Sequence, residues 1–271
     1  MMNVLCCLSI LLSVTAVSTS GQVDTTPIRG NEGTSHQPYR DETTIQPRNE
    51  QNFGVFVFTK TVDKRHDSIP AGVECIEELG TDSQSFTVET SDDAALMNID
   101  YLSQFKVLVF LSTTGEFLTE DQLLALQQFV NAGGGFVGIH AASAGMYSSQ
   151  WYGDLVGAFF VNHPEIQNAT VNVENRDHVI VSGFPQQRFE WVDEWYNFDR
   201  NPRNETTILL TVDETTYQNG AMGSDHPLAW CREFDGGRFF YTTMGHYDAA
   251  YQDEPFRKHL LNGILWAAKV V

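Results

Sequence analysis

Residues 133–145 read GGGFVGIHAASAG, and this stretch decides the fold. Glycines stop a helix, a short apolar segment follows, and the chain turns sharply at His140. That is the strand-to-turn elbow of an α/β protein, where a parallel sheet offers a polar side chain at the carboxyl end of a strand. Such elbows commonly expose a Ser or Cys nucleophile, and here an imidazole stands in that place. Acyl transfer needs a thiol or hydroxyl at the turn with a base in reach. Ser143 comes three residues late, and Cys75 and Cys231 fall in a predicted helix and a predicted strand. Covalent amidase or esterase chemistry is therefore disfavoured. His140 is left as a general acid or base, a metal ligand or a donor to a bound ligand, against the plainer reading of an imidazole tying the turn to a carbonyl.

Working outward, strand and helix alternate. FGVFVF at 53–58 is a continuous apolar run, as a buried parallel strand requires. Ser68 before Ile69 and Pro70 predicts a helix start, and Gly80 its stop. SFTVET and KVLVFLS give two more strands. Thr119 with Gln122 forms a capping box for the helix EDQLLALQQFVNA, which Gly133 or Gly134 ends. After residue 160 the strands VNVEN, TTILLTV, LAWCREF and RFFYTTM are joined by short loops. A last helix aligns Phe256, Leu260, Leu261, Ile264 and Leu265 on one face. The expected fold is a doubly wound, flavodoxin-like α/β domain: a mainly parallel sheet with helices on both faces, extended by later, partly antiparallel strands.

The 271 residues are 42% apolar and 19% charged, the balance of a globular protein. Residues 1–20 carry no charge and hold an apolar run of roughly a dozen residues, the pattern of a secretory signal peptide. Residues 21–51 are polar and rich in Thr, Gln, Gly and Pro, the composition of a disordered linker, which leaves 52–271 as the domain. No later segment is long and apolar enough for a membrane span. The net charge is −19, and −17 once residues 21–52 are set aside, which argues against nucleic acid and anionic membranes as partners. Cys75 and Cys231 fit two buried free thiols better than a disulfide, because a domain of this size needs no staple. Asn168 in NAT and Asn204 in NET match the glycosylation pattern.

Three polar clusters fall at predicted strand ends. KTVDKRHDS supplies Lys60, Arg65, His66 and Asp67, STTGE supplies Thr114, and the elbow supplies His140. His246, in TMGHYDAAY, also follows a strand. His163 and His226 each precede a proline, and each reads equally as a ligand or as a turn residue. In FEWVDEWYNF, Trp191, Trp195, Tyr196 and Phe198 accompany Asp193 and Glu194. Aromatic faces with carboxylates suit a sugar site, but the same residues read equally as a core strand with a solvated acidic edge. Trp151 and Tyr152 are placed to wall the same pocket. His178 reads as a surface strand entry, and His259 has no expected role. No HExxH or CxxC spacing is present, so a divalent metal such as zinc would be held by side chains from separate loops.

Taken in order, FTKT…RHDSI, FLSTTGE, GGGFVGIHAA, WYGDLVGAFF, HPEIQ, DEWYNF, LLTVDE, MGSDHPLAW, GRFFYTTMGH and HLLNGILWAA resemble the ThuA-like (trehalose-utilisation) family from about residue 53 to 269. The resemblance implies a fold similar to class I glutamine amidotransferases, with His140 where those enzymes hold their catalytic Cys. It implies processing of a small saccharide or keto-sugar derivative. The family's polar positions fall on Lys60, Arg65, His66, Asp67, Thr114, His140, His163, Glu194, His226 and His246. Two departures stand out: Asp63 and Lys64 replace a Gly-Phe pair, and Ala144 and Gly145 stand where an Asp is common. The expected function is a secreted carbohydrate-processing enzyme using His140, His66, His246 and Glu194, with Lys60, Arg65, Asp67, Thr114, Trp151, His163, Tyr196 and His226 binding the sugar. The alternative is a secreted carbohydrate-binding protein without turnover, which the missing Asp favours.

Overall fold

The structure, a computed structural model, describes residues 52–271. The signal and linker expected at 1–20 and 21–51 lie outside the described residues. Nine strands form one sheet: β1 (Phe53–Phe58), β2 (Phe86–Ser91), β3 (Val107–Leu111), β4 (Gly135–Ile139), β5 (Gln167–Val173), β6 (Arg188–Asp193), β7 (Thr207–Val212), β8 (Pro227–Phe234) and β9 (Gly237–Thr242). Their order is β2-β1-β3-β4-β9-β8-β7-β5-β6. The first five pair in parallel and the remaining four antiparallel. The parallel half has the flavodoxin-like order, and its switch point lies between β1 and β3, where such sheets bind ligands beyond their carboxyl ends.

Side-chain alternation sorts two cores. Val55, Val57, Val107, Val109 and Val137 face α1 (Ile69–Ser83) and α4 (Glu254–Ala267). Phe56, Phe58, Phe110 and Phe136 face α2 (Glu120–Asn131) and α3 (Gln150–Val156). Branched side chains thus line one face and aromatic rings the other, which explains why β1 reads as one unbroken apolar run.

The capping box at Thr119 and Gln122 forms as expected, and α2 ends in a Schellman motif. Gly133 takes φ +97° and donates to Val130, and Gly134 donates to Phe129. Gly80 does not stop α1. The helix runs one turn further, to Gln84 at φ +54°, and Gly80 is there because a Cβ would lie 2.7 Å from the Phe86 carbonyl oxygen. In α4 the buried stripe is Phe256, His259, Leu260, Gly263, Ile264 and Ala267, while Leu261 and Leu265 are half-buried. His178 does not open a strand. It caps a short 3-10 turn at Val179–Val181, and its Nε2 lies 3.6 Å from Cys231 Sγ. Cys75 and Cys231 are free and buried, and burial pushes their thiols up, Cys75 to about 11 and Cys231 to about 12. No helix among the described residues is long and apolar enough to cross a membrane.

Candidate functional site

Four loops meet at the carboxyl edge of the sheet, and Glu194 sits at their centre. It follows β6 directly and is buried, with a relative exposure of 3%. Its Oε2 lies 3.2 Å from His246 Nδ1, 3.4 Å from His140 Nε2 and 3.9 Å from His66 Nε2. Its Oε1 lies 3.4 Å from His163 Nε2 and 4.0 Å from Lys64 Nζ. His246 Nδ1 and His140 Nε2 are 3.3 Å apart.

The hydrogen inventory of this group is unusual. His140 Nδ1 lies 2.7 Å from the Thr243 carbonyl oxygen, which only accepts, so Nδ1 carries a hydrogen. In the neutral ring Nε2 then presents a lone pair. Tyr196, 3.0 Å away, donates its hydroxyl to it. Burial, aided by the charge of Glu194, pushes the Tyr196 phenol far above its ordinary range, so it keeps its proton. The elbow holds His140 at φ +52°, a left-handed conformation costly for a residue with a Cβ, and Tyr241 donates to its carbonyl at 2.7 Å. Strain of this size persists only where the surroundings over-determine it.

Burial pushes the Glu194 carboxyl up, but the His140, His246 and His66 imidazoles together outweigh it and hold the group far below the usual carboxylate range. Burial also pushes the His66 imidazole down, against the pull of Glu194. An ionised, buried carboxylate ringed by imidazole nitrogens leaves a place that favours a cation. His66, His140, Glu194 and His246 each offer one ligand atom, all within 4.8 Å of one another. Tetrahedral donors roughly 2.1 Å from an ion stand about 3.4 Å apart. Three separations here, at 3.2, 3.3 and 3.4 Å, match that spacing. This buried group could hold a metal ion.

Its members are fixed by neighbours that sequence reasoning missed. Asp193, 1% exposed, accepts from the backbone N–H groups of Glu194, Gly245 and His246 and from Trp191 Nε1. One carboxylate thereby ties the end of β6 to the loop after β9. Ser68, expected to cap α1, donates instead to the Gly245 carbonyl oxygen at 3.1 Å and joins the His66 loop to the His246 loop. Neither role carries a local signal, since the partners lie 52 and 177 residues away.

Two cavities adjoin the centre, and His66 and Lys64 line both. The larger, about 610 Å³, is also walled by Arg65, Asp67, Trp191, His246 and Tyr247. The smaller, about 210 Å³, is walled by Thr114, Phe160, His163, Glu194, Tyr196 and Asp63 among others. Arg65 donates to the Thr59 carbonyl oxygen and Thr114 to that of Lys64, which holds the His66 loop over β3.

The structure leaves three expected sugar-binding residues off these walls. Trp151 packs on Phe234 and donates to Asp235. His226 is wholly buried, 2.8 Å from the Tyr196 carbonyl oxygen and 2.8 Å from Glu214, so it supports the Tyr196 backbone. Lys60, at the end of β1, lines neither cavity. Tyr152 is buried with its hydroxyl on the Ala142 carbonyl oxygen, and Ser143 is buried against Tyr241. The acidic pair of FEWVDEWYNF is buried rather than solvated. Its aromatics divide: Trp195 enters the core and Tyr196 faces His140.

The family model for ThuA, trehalose utilisation, matches residues 54–267. A solved ThuA-like protein from Bacteroides uniformis is 22% identical with a TM-score of 0.68, covering 85% of this chain and 95% of its own. Another from Parabacteroides merdae is 21% identical with a TM-score of 0.67, covering 80% and 90%. A β-galactosidase from Bacillus circulans shares the fold over 80% of this chain and 31% of its own, at 10% identity and a TM-score of 0.52. No curated protein matches the sequence. The matched span takes in nearly the whole sheet, and the chain belongs to the ThuA (trehalose utilisation) family.

Proposed function

We propose that this chain is a secreted carbohydrate-processing enzyme, acting on a saccharide or keto-sugar derivative at a centre where His66, His140, Glu194 and His246 hold a divalent metal such as zinc. The carrying observation is the convergence of three imidazole nitrogens and a buried carboxylate at ligand spacing, facing two cavities. A bound divalent ion supplies Lewis-acid polarisation of a sugar carbonyl or hydroxyl oxygen. The chain's own residues do the rest. Thr243 fixes the His140 ring through Nδ1, which leaves the Nε2 lone pair for the ion, and the Tyr196 hydroxyl stands beside it. Glu194 stays ionised and balances positive charge. His163 and Lys64 stand over its second oxygen, within reach of sugar hydroxyls in the smaller cavity. Trp191 and Tyr247 offer ring faces to a sugar in the larger one. The chemistry these groups suit is proton transfer beside a sugar carbonyl or cleavage of a glycosidic bond, not amidotransfer, since neither described thiol reaches the elbow.

Ala144 lines the smaller cavity at a place where the family resemblance leads us to expect an Asp, and this favours a second reading, a sugar-binding protein without turnover. Incubation of the metal-loaded protein with disaccharides and their keto derivatives, followed by NMR, separates the two. New product signals that vanish in His140→Ala support the enzyme. Binding shifts without product, weakened in His140→Ala, support the binder, and neither response overturns both. For secretion, a mature N-terminus near residue 21 after expression in a secreting host is expected, and an uncleaved chain retained in the cell contradicts it.

A further inference from the structure

The wall of the larger cavity does not end at Trp191. A third cavity, about 220 Å³, shares Trp191 and Asp253 with it and continues along β6 to Phe189, Phe184 and Gln186. β6 is the edge strand of the sheet, and its residues alternate between exposed and half-buried up to Asp193. Phe189 and Trp191 share one face, and same-face residues on a strand repeat every ~6.7 Å, so their rings follow one another along the strand. Their rings are held in place. Trp191 is fixed by its Nε1–H on Asp193, and Phe189 stacks on Phe184 with centroids 4.8 Å apart and planes 9° apart. The track therefore leads from an aromatic pair, over a tethered indole, to the Glu194 centre. The 610 Å³ cavity alone lies in the roughly 300–1,000 Å³ range that takes drug-sized ligands. A second sugar ring does not fill it, and the third cavity lies further out still.

We propose that the saccharide is a linear oligosaccharide of three or more units, its reacting unit at the Glu194 centre and its outer units lying along β6 over Trp191 toward Phe189 and Phe184. This rests on the carbohydrate reading above and adds the length of the substrate. Ring faces stack on the apolar faces of outer sugars, the Gln186 amide donates and accepts at their hydroxyls, and Asp253, one oxygen of which caps α4, accepts from them with the other.

The test is calorimetric titration of the metal-loaded full chain with two series, maltose to maltohexaose and cellobiose to cellohexaose. In one series the Kd is expected to fall about tenfold between the disaccharide and the tetrasaccharide. Phe189→Ala is expected to remove that gain. Gln186→Ala, at an exposed position with no core role, is expected to reduce it about threefold. Equal Kd values at every length overturn this inference alone, as does an undiminished length dependence in both variants. No binding by any member of either series overturns this inference alone where the disaccharide and keto-sugar screen above gives a response, and overturns it together with the carbohydrate reading where that screen is also silent.

Discussion

Glu194 is buried, yet the three imidazoles around it keep it ionised, and the donors are in turn oriented by single bonds. His140 is the clearest case: Thr243 accepts from Nδ1 and turns Nε2 toward the centre, where the Tyr196 hydroxyl, kept protonated by burial, meets its lone pair. Tyr196→Phe should leave the fold nearly intact, with a stability loss of about 1 kcal/mol. Metal affinity should rise about fivefold, the worth of one such bond, because the hydroxyl and an ion compete for the one lone pair of Nε2. Paired melting curves and metal titrations of the variant check this, and a fall in affinity contradicts it. His259 makes a different argument. It is wholly buried between Phe240 and Phe256, and burial pushes its imidazole down to about 4, against the bond it makes to the Ile180 carbonyl oxygen. The unfolded chain binds this proton below about 6.5 and the folded chain does not. Stability is therefore full above pH 6.5 and is lost as pH falls toward 4, by at most about 3 kcal/mol from this residue. Burial depresses His66, His178 and His226 in the same direction. Urea midpoints measured from pH 7 to 4 should fall less steeply in His259→Asn, which keeps a donor for Ile180.

At the scale of elements, the helix and strand ends do two kinds of work. Gly80 lies inside α1 only because β2 passes so close, so Gly80→Ala should destabilise by about 1–3 kcal/mol despite alanine's better helix propensity. Chemical denaturation checks the sign, and a stabilised variant contradicts the packing argument. Asp193 joins the end of β6 to the loop after β9, and Asp193→Ala strands four N–H donors. We expect a loss on the order of 3 kcal/mol or more, together with a loss of metal affinity, because Glu194 and His246 would no longer be held in register. Local signals explain which elements were legible. The Thr119 capping box and the glycine stop of α2 involve neighbours in sequence and were readable there. The difference between Gly80 and Gly133 was not, since it depends on what another strand places beside each. His163 and His226 make the same point: both are His-Pro pairs, but tertiary packing turns one toward Glu194 and buries the other under Tyr196.

Across the whole molecule, the parallel half supplies His66, His140 and His246, and the antiparallel extension supplies Glu194. β6 runs in the same direction as the parallel strands, so its carboxyl end emerges at the same edge, and Asp193 secures it there. The alternation of strands and helices made the doubly wound half legible from the sequence, as did the placing of His66, His140 and His246 at strand ends. The extension was legible as strands, and Glu194 in it as a candidate, but its central place among the imidazoles was not, because no spacing rule reports which edge a later strand comes back to. Metal content of the purified domain, read by elemental mass spectrometry with the fold of each variant checked by circular dichroism, tests the central claim most directly. We expect close to one divalent ion per chain, lost in Glu194→Gln and His140→Ala while both remain folded. A folded wild-type chain that takes up no zinc, manganese or other divalent ion on titration would contradict the metal centre.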